Sequence, residues 1–283
     1  MEFQKNLVQG YIRLRLQALM KLNPSFAGKE LFRLFCTPIS RYREKAGLAF
    51  TQGKNLHFSL KEKKIHGYLV NEGAARTVLI LHGWTSSLAK FEHLVTPLTD
   101  AGYAVLAFDA PAHGFSEGEL THAMDYADMI KEAGKQFGPV HAFIGHSFGG
   151  LAICLALEAE PVLQDDARLV LIAPAAETHT ALDNVFTFLS LKDPLLRTAI
   201  NDEIKKESGK EVSWFSIARA IKNIHIPVLF LQDETDFITP LKDIEPIRLS
   251  GQQNIKFKIS RGLGHQKIYR DPQTIQEIIA FLK

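Results

Sequence analysis

From Asn55 onward the apolar positions change period repeatedly, and each change marks an element. Leu56, Phe58, Leu60 and then Ile65, Gly67, Leu69 alternate with polar residues, as two antiparallel strands at a sheet edge do. Short, almost wholly apolar runs follow at 77–81, 104–108, 140–144, 169–172 and 227–231, with a last strand at 255–259. Such runs suit strands covered on both faces of a mainly parallel sheet. Helical patterns separate them near 88–101, 121–137, 148–160 and 240–249, and a final helix is expected at 272–282. Strand and helix in this alternation predict an α/β fold, a doubly wound, mostly parallel sheet with right-handed crossovers.

Two stretches fall outside that rhythm. Residues 4–21 predict an amphipathic helix, with Leu7, Val8, Tyr11, Ile12, Leu14 and Leu19 sharing part of one side and basic residues opposite. Asn23-Pro24 breaks it, and a second short helix is expected at 28–35, before Pro38. Residues 1–50 read as an N-terminal helical extension to a domain spanning 51–283. The second stretch is the long gap between the strands ending near Ala173 and beginning near Pro227. Helices are expected there around 180–192, 194–207 and 213–222. Inserted at the carboxyl ends of the strands, a segment of about 176–225 is expected to form a helical lid over the active site, carrying Phe186, Phe188, Leu189, Trp214 and Phe215.

Composition narrows the class of protein. At 283 residues, 46% apolar and 23% charged, the chain is long and apolar enough for a sizeable globular core. A net charge of +2 argues against a whole-molecule polyanion binder. The charge is uneven, however, at +6 over residues 1–50 and −4 over the rest. A basic extension docked on an acidic body accounts for this, and peripheral membrane contact through residues 1–50 is the alternative. Two cysteines, Cys36 and Cys154, imply no disulfide framework, and Cys154 is expected to be a buried small hydrophobe. Arg13 and Arg15 interrupt any apolar segment of signal-peptide type, and no run of apolar residues is long enough for a bilayer span. A cytoplasmic location is therefore expected. No His/Cys/Asp cluster has metal-ligand spacing, and no glycine-rich phosphate loop or nucleotide fingerprint occurs, so neither metal nor cofactor is expected. Nucleic acid is not an expected partner either, since only the N-terminal charge favours it.

The candidate chemistry centres on Gly145-His146-Ser147-Phe148-Gly149-Gly150, which joins the 140–144 run to a strong helical pattern. Strand, abrupt turn and helix form the setting in which a serine hydroxyl is pushed out of a sheet edge as a nucleophile. Serine needs a neighbouring base, and that base needs an orienting acid. Among eleven histidines, His265 in Gly262-Leu263-Gly264-His265 directly follows the last strand and is the candidate base. His146 should point away from Ser147, and His57 and His66 fall in edge strands. For the acid, Asp236 comes first, 29 residues before His265. Asp233, nearer the strand end, is its rival, and Glu177 is a third option. Backbone amides of Phe148 and Trp84 are the candidate donors to an oxyanion, with His82 and Gly83 shaping the turn that carries Trp84.

Together these pieces give the chain a resemblance to the α/β-hydrolase superfamily, in its serine hydrolase or esterase-like branch. They run in order: His82-Gly83, Asp109-Ala110-Pro111-Ala112-His113-Gly114-Phe115-Ser116, Gly145 to Gly150, Asp236 and His265. The order nucleophile, acid, histidine is the family's own, and the likeness covers about residues 55–283. It implies the α/β-hydrolase fold, a catalytic triad of Ser147, Asp236 and His265, and oxyanion amides at Trp84 and Phe148. The 109–116 loop would support the pocket without taking part in chemistry. Two departures stand out: Ala112 where relatives often have Gly, with little consequence expected, and Asp233 where many have Gly, which keeps the choice of acid open.

The expected function is a serine hydrolase that cleaves a carboxylic ester or thioester of a small, apolar acyl substrate through an acyl-enzyme. The same residues would serve C–C or amide bond hydrolysis or acyl transfer, and the scaffold alone would serve a non-catalytic ligand-binding protein.

Overall fold

The structure is a computed structural model that describes residues 2–283, with side chains from Leu7 onward. Its contacts divide the chain into two compact units: the chain up to Thr37 together with Glu177–Phe215, and Pro38–Ala176 together with Ser216–Lys283.

The larger unit is built on an eight-stranded sheet. Its strands are β1 (Lys54–Leu60), β2 (Lys63–Val70), β3 (Arg76–Leu81), β4 (Tyr103–Phe108), β5 (Ala142–His146), β6 (Arg168–Ile172), β7 (Val228–Asp233) and β8 (Ile255–Ser260). They lie in the order β1-β2-β4-β3-β5-β6-β7-β8. The alternating pair β1 and β2 is antiparallel and occupies one edge, and every pairing from β4 to β8 is parallel. The apolar runs behave as their composition requires: β4, β5 and β7 are buried at every position. Phe50, Phe91, Leu94, Val105, Ile144, Val170, Leu229 and Ile278 belong to one continuous core cluster. After β3 the chain turns one way to β4, and after β4 it crosses back to β5. The loops following β3 and β5 therefore flank the switch point, where open α/β sheets place their ligands.

The smaller unit is helical, with helices Glu2–Leu22, Pro24–Cys36, Thr178–Phe188 and Pro194–Ser208. Helix Pro24–Cys36 packs along Pro194–Ser208, and Ala27, Leu31, Leu196 and Ile200 are buried. Two expectations are corrected here. The second helix begins at Pro24 and not at Gly28. Proline lacks only an amide that the first helical turn would leave unpaired, and Asn23 caps the end by accepting from Phe26 N–H at 3.1 Å. In the first helix, Leu16 and Met20 are the buried residues, whereas Leu7, Val8, Tyr11 and Leu14 are exposed. The apolar side that the spacing marks is thus open at these four positions.

Candidate functional site

Ser147 follows β5 as the first non-helical residue before helix Phe148–Ala159. Its backbone stands at φ 52, ψ −119, a region that side-chain-bearing residues visit at a cost of order 1–3 kcal/mol. Neighbouring strands hold it there: Ser147 N–H donates to Ile172 O at 3.1 Å, and Ser147 O accepts from Gly150 and Ala175 N–H at 3.0 Å each. Gly149 is required by close approach, since a Cβ there would lie 2.7 Å from the carbonyl oxygens of Leu81 and His82. A Cβ on Gly83 would come within 2.9 Å of Ser147 Cβ. The turn after β3 and the elbow after β5 thus meet with nothing between them. Ser147 is buried at 7% exposure, and its hydroxyl holds no hydrogen bond among the described residues.

His265 Nδ1 lies 2.8 Å from Asp236 Oδ2, so a proton on Nδ1 is donated to that carboxylate. Asp236 is itself saturated. Its Oδ1 accepts from Ile238 N–H at 2.9 Å and Thr239 N–H at 3.0 Å, and its Oδ2 accepts from the Thr239 hydroxyl at 2.7 Å. Burial pushes this carboxyl up, but the hydrogen bond and charge of His265 and the Thr239 donors more than offset it, and Asp236 titrates below its ordinary range. Thr239 Oγ1 also lies 3.2 Å from Ala173 O and 3.1 Å from His265 Nδ1, which ties acid, base and the end of β6 together. Sequence reading passed over Thr239. Its signal was the hydroxyl three residues after an aspartate in a loop, which forms a local cap.

Asp233 has a different task. Its carboxylate accepts from Thr235 N–H and Oγ1, from Ser260 Oγ and from Leu263 N–H. Burial raises its pKa, and the donors from Thr235 and Ser260 outweigh that and hold it well below the usual carboxylate range. It therefore braces the loop that leads to His265. Glu177 precedes helix Thr178–Phe188 as its N-cap residue. The carboxylate on His265 Nδ1 is that of Asp236.

His146 departs from Ser147 and turns to the base. Its Nε2–H donates to His265 O at 3.0 Å, and its ring packs on His265 at 4.7 Å and on Tyr269 at 4.6 Å. Burial, reinforced by the nearby charge of His265, pushes its pKa down to about 3, so it serves as a neutral strut.

The turn after β3 is held by two more buried histidines. His82 Nδ1–H donates to Gly83 O at 2.8 Å, and Nε2 accepts from Ala110 N–H at 2.9 Å. His113 Nε2 accepts from Thr85 N–H at 3.1 Å, and Nδ1–H donates to Pro111 O at 3.1 Å. Burial lowers both imidazoles, His113 to about 3. Asp109 anchors the same region, accepting from Leu88 and Phe115 N–H at 2.9 Å each. Among the described residues, nothing accepts from the backbone N–H of Trp84 or of Phe148. Their rings meet edge to face at 5.4 Å, and both amides remain available to a ligand oxygen. Ala112 sits at φ 64, which explains why glycine suits that position and means that alanine there carries backbone strain. Cys154 is fully buried, and burial pushes its thiol far up, so it packs as expected and plays no acid–base part.

Known proteins resemble this chain in sequence and fold. An uncharacterized abhydrolase domain-containing protein of Dictyostelium discoideum is 33% identical over 86 residues, 29% of this chain, but the match spans only 9% of that protein's length. The AB hydrolase superfamily protein YisY of Bacillus subtilis is 21% identical over 264 residues, covering 79% of this chain and 97% of that one. Among solved structures, the esterase Pf2001 of Pyrococcus furiosus superposes with a TM-score of 0.64 at 21% identity, covering 86% of this chain and 97% of that one, a likeness of fold. The sequence profile of the Alpha/beta hydrolase family matches residues 78–245, more than half of the chain and a stretch that holds both Ser147 and Asp236. With the parallel sheet and the strand–elbow–helix unit, that match makes this chain a member of the α/β hydrolase family.

Proposed function

We propose that the protein is a serine hydrolase that cleaves a carboxylic ester or thioester, with Ser147 as nucleophile, His265 as base and Asp236 as its orienting acid. The observation that carries this reading is the 2.8 Å contact between His265 Nδ1 and Asp236 Oδ2, on loops at the same sheet edge as the strained Ser147 turn. Ser147 Oγ attacks the acyl carbon, and His265 Nε2 takes the hydroxyl proton. Asp236, ionised and saturated with donors, keeps the opposite nitrogen protonated and stabilises the imidazolium. The carbonyl oxygen gains charge as the tetrahedral adduct forms, and the Trp84 and Phe148 amides receive it. Collapse expels the alcohol or thiol, which takes the proton from His265 and leaves the acyl group on Ser147. Water repeats the sequence, with His265 as base, and releases the acid.

The test is Ser147→Ala. Turnover of a short p-nitrophenyl ester should fall by at least about a thousandfold, and labelling by a fluorophosphonate probe should vanish. Labelling that persists in the variant would place the nucleophile elsewhere.

A further inference from the structure

Helix Glu2–Leu22 carries two apolar faces, and the fold buries one. Leu16 and Met20 are buried, at 0% and 8% exposure. At 3.6 residues per turn, Leu7, Tyr11, Leu14, Ala18 and Leu22 fall within an arc of roughly 80° centred opposite those two. Their large side chains stand open: Leu7 at 65%, Tyr11 at 64%, Leu14 at 65% and Leu22 at 82%. Val8 and Phe26 are exposed as well, at 57% and 48%. Apolar residues scattered singly on a surface are ordinary, but this many in line mark a face with an occupant.

The charge around the strip identifies that occupant. Lys21 flanks one border of the arc and Arg15 the other, and Lys29 is exposed on the next helix. Arg15 pairs with Glu30 at 2.9 Å, whereas Lys21 and Lys29 have no acidic partner among the described residues. Residues 1–50 carry +6 overall. A second copy of the chain docked on this face would bring two surfaces of the same positive sign together, a like-charge arrangement that opposes association. An anionic lipid surface meets both demands, taking the apolar side chains at the acyl boundary and the ammonium groups at the headgroups. Tyr11 has the amphipathic ring that suits such a boundary. The described helices include none long and apolar enough to cross a membrane, so the helix would lie along the surface.

We infer that the Leu7–Tyr11–Leu14–Leu22 face of the first helix docks the protein on the surface of an anionic lipid bilayer. This stands apart from the proposed catalysis, and the test reads both.

Full-length protein is sedimented with phosphatidylcholine vesicles and with phosphatidylglycerol-rich vesicles at low and high salt. Binding should favour the anionic vesicles and weaken as salt screens it. Leu7→Ser/Leu14→Ser should lower the partition coefficient at least about tenfold. Lys21→Glu/Lys29→Glu should lower it about tenfold or more on anionic vesicles only. All four positions are exposed, so the variants should keep the wild-type circular dichroism and ester turnover. The inference is overturned if the wild-type protein does not bind anionic vesicles, or if the leucine variant binds as the wild type does. It is also overturned if sedimentation velocity finds a vesicle-indifferent dimer that the leucine variant dissociates, which would assign the face to self-association.

Discussion

The two sides of the site are built from opposite electrostatics. On the side of the β3 turn, His82 and His113 are buried pegs, each holding one backbone N–H and one carbonyl. Burial keeps them neutral. On the side of β7 and β8, Asp233 and Asp236 are saturated with donors and kept ionised. There His265 lies 2.8 Å from the Asp236 carboxylate. The contrast shows how one residue type divides its labour. In the proposed mechanism an imidazolium forms beside the fixed charge of Asp236. The proposed oxyanion would meet backbone amides of a turn braced by neutral histidines, with the Asp109 carboxylate occupied by the Leu88 and Phe115 amides.

The sharpest way to break that comparison is to exchange the two aspartates' roles. Asp236→Asn should lower kcat on a p-nitrophenyl ester by about a thousandfold or more, because the amide no longer secures the Nδ1–H tautomer of His265. Asp233→Asn should act mainly on stability, lowering it by about 1–3 kcal/mol as four donors lose a charged acceptor. The two are compared by kcat and by chemical denaturation. If Asp233→Asn abolishes turnover at normal stability, the assignment of the acid is reversed.

A smaller effect is expected on the other side. His113→Phe leaves the Thr85 N–H and the Pro111 carbonyl without their partner, which should destabilise the fold by about 1–3 kcal/mol. Loosening the Trp84 amide should lower kcat by about tenfold to a hundredfold. A drop in kcat that persists where the variant is fully folded separates positioning from simple unfolding, and unchanged kcat in the folded variant would dissociate this turn from oxyanion binding.

The last effect is read from pH. The folded protein holds His113 and His146 down at about 3, whereas the unfolded chain protonates them near 6.5. Above 6.5 both states are neutral and the stabilisation is complete. As pH falls from 6.5 toward 3, the unfolded chain gains protons that the folded one excludes. Stability should then fall by up to about 1.4 kcal/mol per pH unit for each histidine. Asp233 and Asp236 have depressed folded values, so their stabilisation is lost only below the ordinary carboxylate range. Denaturant midpoints between pH 7 and pH 4 isolate the histidines, and His113→Phe should reduce the slope by up to about 1.4 kcal/mol per pH unit, leaving the share of His146 and His82.

Much of this was open to a reader of the sequence. The five apolar runs specified β3 to β7 because a strand buried on both faces tolerates little else, and alternation marked the edge pair β1 and β2. Ser147 and His265 were legible because each follows a strand at a sheet edge, and the order of motifs pointed to Asp236. The choice against Asp233 was not legible, because the two carboxylates stand three residues apart at the end of β7 and only the donors reaching in from Ser260 and Leu263 separate them. Ala112 read as a mild substitution until its φ of 64 was known.

The first helix marks the same boundary from the other direction. Its sequence holds apolar residues all round, and period alone does not say which side finds neighbours. Local pattern and turn chemistry determined where strands, helices and the Ser147 elbow form, since those depend on residues a few positions apart. Which histidine meets a carboxylate, which are sealed in as neutral pegs, and which helix face stays open were decided only by tertiary packing. Desolvation and hydrogen-bond partners arise from residues that the chain brings together from far apart.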